Sequence, residues 1–204
     1  MVVFAIIISI TSVVLTSQNS FNKTLILANT AYDVALSIRS AETYGLGGRA
    51  IGTLPTGYGV HFDSGTKSSY LLFADTVPAA SAGSACHFPG NTSGNLDAQP
   101  GDCVYTSSGP SGADVLVTTY TLGNGITIND LCTYAGSTKT CTNNSLISLD
   151  VVFTRPNADA LMSSNGAYAS SITKSCIELA SQGGSRSVIV SASGQVFVSA
   201  SACP

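Results

Sequence analysis

The sequence predicts an α+β protein: one long N-terminal α-helix, apolar in its first half and amphipathic in its second, packed on an antiparallel β-sheet domain stapled by disulfides. Three observations predict it. Residues 1–46 carry helical patterning to a glycine cluster at Gly45-Leu-Gly-Gly48. The remainder breaks into short alternating runs separated by Gly, Pro, Asn and Ser, as strands and turns do. Six cysteines fall within that remainder, in a region poor in charge and rich in Gly, Ser and Thr.

The helix divides in two. No charged residue occurs before Lys23, and Met1, Val2, Val3, Phe4, Ile6, Ile7, Ile8, Ile10, Val13, Val14 and Leu15 make residues 1–16 almost wholly apolar. With the uncharged residues 17–22 this reaches the roughly 20 residues that span a bilayer core. Residues 1–22 are therefore read as a transmembrane or filament-core half. β-branched residues are frequent there, but in lipid the backbone must satisfy its own hydrogen bonds, which favours helix over local propensity. Ser9, Thr11, Ser12 and Thr16 have two readings of equal weight, as helix–helix contacts or as hydroxyls bonded back to their own helix. Residues 23–46 form the amphipathic half. Leu27, Ala31, Val34, Ile38 and Ala41 recur at i, i+4, i+7, i+11 and i+14, a stripe suited to packing on a sheet. Asn29, Asp33, Ser37, Ser40 and Thr43 are expected on the other face. The glycine cluster then stops the helix. A helix over residues 1–46 would be about 69 Å long at 1.5 Å per residue.

Residues 47–204 are expected to form one extracytoplasmic β-rich domain. Tyr58–Phe62 and Ser69–Asp75 read as a hairpin, and Val77–Gly101 as a long loop that needs a staple. Val104-Tyr105, Asp114–Leu122, Gly125–Ile128 and Leu131–Tyr134 follow as extended pieces, the second being the clearest strand. Leu131–Tyr134 and Lys139–Cys141 form a short hairpin with a cysteine on each arm. Ile147–Thr154 is a strand, Leu161–Gly166 is irregular, and Ser175–Ala180 alternates as a strand. Ser187–Ser191 and Gln195–Ser199, joined through Ser193-Gly194, form the clearest hairpin. No internal repeat is seen.

Six cysteines allow fifteen pairings. Local spacing favours Cys86–Cys103, closing the long loop, Cys132–Cys141, pinning a hairpin, and Cys176–Cys203, tying the C-terminus to a strand. Disulfides suit an extracytoplasmic compartment. The rival, a metal site, lacks Cys-x-x-Cys or His-x-x-x-His spacing.

Composition excludes broad classes. Charged residues are 9% of the chain, against about a quarter in ordinary domains. With a net charge of −3 there is no general basic surface for nucleic acid. Catalytic patterning is equally thin. His61 reads as a sheet residue and His87 as a surface loop residue, and a Cys–His nucleophile would need a free thiol in an oxidised domain. The Gly45–Gly48 cluster follows a helix instead of opening one, the wrong polarity for phosphate binding. Asp97 and Asp102 flank a Pro-Gly turn and have the chemistry to help hold Ca²⁺, but they read more simply as solvated loop carboxylates. Asn22-Lys-Thr24, Asn91-Thr-Ser93 and Asn143-Asn-Ser145 match the glycosylation tripeptide, which a Ser/Thr-rich chain produces by chance. The expectation is a protein that is not an enzyme and takes no cofactor. A cleaved secretory signal is disfavoured, since no basic region precedes the apolar run and no small-residue cleavage site ends it.

The run Met-Val-Val-Phe-Ala-Ile-Ile-Ile-Ser-Ile, leading straight into an amphipathic helix and then a β domain, resembles the type IV pilin and pseudopilin family. Residues Asp33–Tyr44 and the Ser187–Val198 hairpin are similar to the H-type minor pseudopilins and related pilin-like proteins. Members of the family begin with a Phe-Thr-Leu-Ile-Glu-Leu hexapeptide. Its glutamate has no counterpart here, Ala5 being apolar, and the expectation is that the sequence starts after that hexapeptide. Thr16–Ser20, poor helix formers, are the expected place for the helix to unwind in a filament.

What the resemblance implies is structural work. The subunit would sit in the inner membrane, be extracted by an assembly ATPase and platform protein, and join copies of itself in a helical extracellular filament. A near alternative is a minor or tip pseudopilin of a type II secretion or DNA-uptake machine. From another class, a membrane-anchored extracytoplasmic binding module would show a concave, polar-rimmed pocket in the β domain.

Overall fold

The computed structural model describes residues 2–52, 54–77, 101–110, 112–156 and 158–204, with the side chains of all of these except residues 13–20, 54 and 55. In chain order, α1 (Val2–Leu46) leads to β1 (Ala50–Ile51), β2 (Leu54–Pro55), β3 (Gly57–Asp63), β4 (Ser69–Asp75), β5 (Val115–Thr121), β6 (Thr127–Ala135) and β7 (Thr138–Cys141). Then come β8 (Ser148–Phe153), β9 (Leu161–Ser164), β10 (Ala167–Tyr168), β11 (Lys174–Ser181), β12 (Gly184–Ser191) and β13 (Val196–Ser199). The class is α+β, with an N-terminal helical region packed on antiparallel sheets.

The sequence reading of a single sheet is corrected to two, plus the small β1–β2 pair. The first sheet runs β10-β9-β8-β3-β4-β5 and the second β13-β12-β11-β6-β7. The chain changes sheets between β5 and β6, through Leu122–Ile126, and an isolated sequence offers no sign of such a switch. Both sheets nevertheless share one core. The second half of α1 lies against β3 and β8 of the first and β11, β12 and β13 of the second. Leu27, Ala31, Val34, Ile38 and Ala41 are all fully buried in it. At about 1.5–3 kcal/mol for each large apolar side chain buried, this stripe is the main bond between helix and sheets.

Two glycines mark close approaches along that contact. A Cβ on Gly183, in the β11–β12 turn, would lie 2.8 Å from the Lys23 carbonyl carbon, and one on Gly45 would lie 2.2 Å from the Phe153 carbonyl oxygen. The docked half of the helix is thus gripped by backbone at both ends. Just past its C-terminus Gly48 takes φ +61°. The Gly48 amide bonds to the Gly45 carbonyl and the Arg49 amide to the Tyr44 carbonyl, at 3.3 and 3.2 Å. That is the paired closure of a Schellman motif.

Four further local expectations are corrected. Ser37 does not face solvent: its Oγ donates to the Asp33 carbonyl and accepts from the Tyr70 hydroxyl at 2.9 Å, in a buried site. Burial pushes the Tyr70 phenol up to about 12. Gly125–Ile128 and Leu131–Tyr134 are not separate pieces, because one strand, β6, runs through Asn129-Asp130, with its irregularity absorbed opposite Glu178 and Leu179. Leu161–Gly166 is not irregular: Asn165 and Gly166 both take positive φ, the two-residue hairpin turn that joins β9 to β10. Val104-Tyr105 forms no strand, since the Val104 amide is taken by the Asp102 side chain.

Among the described residues two disulfides are seen, Cys132–Cys141 and Cys176–Cys203. The first joins directly opposed residues of β6 and β7, and Cys176 sits opposite Cys132 on β11, so all four sulfurs share one small cluster. Cys86, and with it the Cys86–Cys103 pairing, lies outside the described residues, as does most of the Val77–Gly101 loop. Cys103 is not a free thiol.

Candidate functional site

Among the described residues, the first turns of α1 carry large apolar side chains that lie exposed. Val2, Val3, Phe4, Ile6, Ile7, Ile8 and Ile10 are between 53% and 74% exposed. At about 100° per residue they cover about 240° of the helix surface, and Ala5 falls in the remainder, so this is an apolar rod and not a narrow amphipathic stripe. Its hydroxyls do not interrupt it. Ser9 Oγ donates to the Ala5 carbonyl and Thr11 Oγ1 to the Ile7 carbonyl, each at 2.8 Å. Such i−4 bonding hides the polar hydrogens on the helix itself, the arrangement that suits apolar surroundings. Met1 and the side chains of Val13, Val14, Leu15 and Thr16 lie outside the described residues. Among the described residues no helix is long and apolar enough to cross a membrane.

The apolar surface does not end where the sheets begin. Phe21, Leu25, Tyr32 and Leu36 are also exposed. At about 100° per residue, these four, with Val3, Ile7 and Ile10, fall within about 80° of arc. That arc lies roughly opposite the buried stripe centred on Val34. Among the described residues, one side of α1 thus carries exposed apolar side chains both near its N-terminus and along the docked half to Leu36, whose other side is buried against the sheets. The sequence reading missed this second stripe, because Asn29, Asp33 and Ser40 beside it gave the whole face a polar look. The spacing 21, 25, 32, 36 was the available signal.

Residues with chemical potential elsewhere are committed to structure. His61, on β3, places Nδ1 2.6 Å from Asp150 Oδ1 on β8, its cross-strand neighbour. This pair faces away from the helix, beneath Tyr105, whose ring centroid is 4.7 Å from that of His61. Asp102 is no solvated loop carboxylate, because its Oδ1 accepts the Val104 amide. Asp75 accepts the Asp102 and Cys103 amides, and Asp114 those of Thr76, Val77 and Thr106. These buried carboxylates had no sequence signal, since a strand-end Asp looks like a solvated one. His87 and Asp97 lie outside the described residues. Asp130, Cys132 and Cys141 gather at a spacing that would suit a metal. The two sulfurs are bonded to each other, however, and provide no thiolate. A groove between α1 and β5, lined by Thr30, Asp33, Ser37, Tyr70, Tyr120 and Asn124, brings together only one charged group.

Compared with known proteins, the chain matches no family model, no curated protein and no solved structure.

Proposed function

We propose that this chain is a structural, non-enzymatic subunit of a type IV pilus-like extracellular filament, held in the inner membrane before assembly and joined to its copies through α1. In this reading the helix has an apolar half for lipid and filament core, and an amphipathic half that carries the β domain, as in a pilin. The observation that carries it is the exposed apolar end of α1, with further exposed apolar side chains along one side of the docked half. Left in water, the seven described large side chains of that end forgo roughly 10 kcal/mol of transfer free energy at about 1.5–3 kcal/mol each when fully buried. Lipid and a bundle of like helices both recover it, so passing from one to the other changes the hydrophobic term little. Assembly then requires a machine to extract the subunit, in keeping with an ATPase and platform protein as partners. A low-charge, Ser/Thr/Gly-rich, disulfide-stapled surface suits the extracellular half.

The test is electron microscopy of the sheared extracellular fraction, with the subunit identified by mass spectrometry. Thin filaments built mainly of this chain are the expected result. Filaments with traces of it would replace this reading with a minor or tip component. A chain confined to the membrane fraction, with no filaments, would refute filament assembly and favour an anchored binding module.

A further inference from the structure

A row of stacked rings crosses three strands of the first sheet and ends at an open edge. Phe62 on β3, Tyr70 on β4 and Tyr120 on β5 lie on the side of α1, with successive ring centroids 5.3 Å and 5.0 Å apart. Phe62 and Tyr70 are buried, and Tyr120, at the end of the row, is half-buried. β5 is the last strand of its sheet and pairs with β4 alone. Its sequence, Val-Leu-Val-Thr-Thr-Tyr-Thr, holds no charged residue and no proline. Edge strands are ordinarily guarded by charge, proline or shortness. The other edges of the two large sheets follow that rule: β10 has two residues, β13 four, and β7 four with Lys139 among them.

Alternation along β5 fixes which groups the edge offers. The Leu122 amide donates to the Ser68 carbonyl. Tyr120 and Thr118 therefore also turn their amides and carbonyls toward β4, while Thr119 and Thr121 turn theirs outward. Among the described residues nothing bonds to those outward groups. The register slips at Val117, between Leu116 opposite Phe73 and Thr118 opposite Leu72. The bulge leaves Thr118–Thr121 as the regular run.

We propose that this edge is a self-association surface, where β5 of a second copy pairs antiparallel with β5 about a two-fold axis at Tyr120. The geometry selects that register. Thr119 stands opposite Thr121 of the second copy and Thr121 opposite its Thr119, closing about four hydrogen bonds. Tyr120 stands opposite its own counterpart in a non-hydrogen-bonded pair, the closer kind, with about 4.5 Å between Cα atoms. The two rows of rings then meet end to end, as aromatic cross-strand pairs favour. An axis at Thr119 or at Thr121 also satisfies the alternation but parts the two tyrosines. Having no charge, the strand meets itself without repulsion. There is room for the second ring, because α1 is seated over β3 and β8 and an open groove lined by Leu36, Tyr120 and Thr121 lies between it and β5. The same axis reverses whatever direction α1 takes along the sheet, so paired chains point opposite ways. The contact is therefore separate from assembly through parallel α1 helices and does not rest on the filament reading.

The experiment uses the full chain in detergent micelles. Among the described residues no cysteine is free, so Tyr120→Cys places a lone thiol at the axis. Under mild oxidation it should form a disulfide-linked dimer at least about tenfold faster than Thr118→Cys, whose counterpart lies beyond bridging distance. In sedimentation the wild type should pass from monomer toward dimer between about 10 µM and about 1 mM, as a small interface requires. Thr119→Pro removes an outward amide and no bond within the chain, and should stay monomeric with Tm unchanged. Thr119→Lys, which puts a charge on the edge, serves the same purpose should the proline variant not fold. Ile7→Lys, altered only in the apolar end of α1, should dimerise as the wild type does, so this contact and assembly through α1 fail separately. A wild type monomeric throughout, edge variants that dimerise as it does, loss of the dimer in Ile7→Lys, or Tyr120→Cys crosslinking no faster than Thr118→Cys would each overturn the proposal. Should Tyr120→Cys not fold, sedimentation decides alone.

Discussion

Replacing Gly45 by alanine tests whether the helix is seated on the sheets as closely as described. In the last turn of an exposed helix, Gly→Ala ordinarily stabilises by roughly 1 kcal/mol. Here the new Cβ would fall 2.2 Å from the carbonyl oxygen and 2.8 Å from the carbonyl carbon of Phe153. Phe153 is the last residue of β8, a strand bonded on both sides by β3 and β9. The obstruction is backbone in the middle of a sheet, so it cannot swing aside as a side chain would. Overpacking of this kind costs about 1–3 kcal/mol. For a chain of this size, that lowers Tm by about 2–4 °C per kcal/mol, a fall of about 2–12 °C in all. Thermal unfolding followed by circular dichroism in detergent measures it, with Gly123→Ala as control, since nothing lies within 4 Å of a Cβ there. A Gly45→Ala protein as stable as the control, or more stable, would refute the close seating of α1 on β8.

Other consequences follow from the same structure. Gly183→Ala should destabilise by a similar amount, because its Cβ would meet the backbone of Lys23 and Thr24; unchanged Tm would contradict the grip at that end. Cys176→Ser opens a disulfide whose partners are 27 residues apart. It should cost about 2–4 kcal/mol, lower filament yield and free the C-terminal tail to protease. Ser37→Ala leaves the Tyr70 hydroxyl without its buried partner and should cost about 1–2 kcal/mol in denaturant unfolding.

What the sequence made legible was periodicity. The stripe from Leu27 to Ala41 states a helical face, and the structure buries all five of its members. The Ser69–Asp75 and Ser187–Ser191 runs carry enough β-branched and aromatic residues to stand out as strands. Two short-range cysteine pairs were readable because each closes a local hairpin or tail. What was not legible depends on neighbours distant in the chain. The switch between sheets after β5 is decided by which strands meet, not by Leu122–Ile126 themselves. Ser37 looks solvated until Tyr70 arrives from β4, and Asp75 and Asp114 look like surface carboxylates until the amides of Asp102, Cys103, Thr106, Thr76 and Val77 are brought to them. The Asn165-Gly166 turn was readable and missed, because the strands on either side of it are too short to show alternation.

The claim at the centre of this account is that the apolar end of α1 is the element of assembly. Ile7→Lys tests it most directly, since Ile7 lies on the line shared with Phe21, Leu25 and Leu36 and touches nothing in the β domain. A lysine at the centre of an apolar helix costs about 2.5–3.5 kcal/mol in lipid and is similarly disfavoured among packed apolar helices. The measurement is filament yield in the sheared fraction beside the Tm of the purified variant. The account predicts loss of filaments with Tm unchanged; filaments at the wild-type level would contradict it.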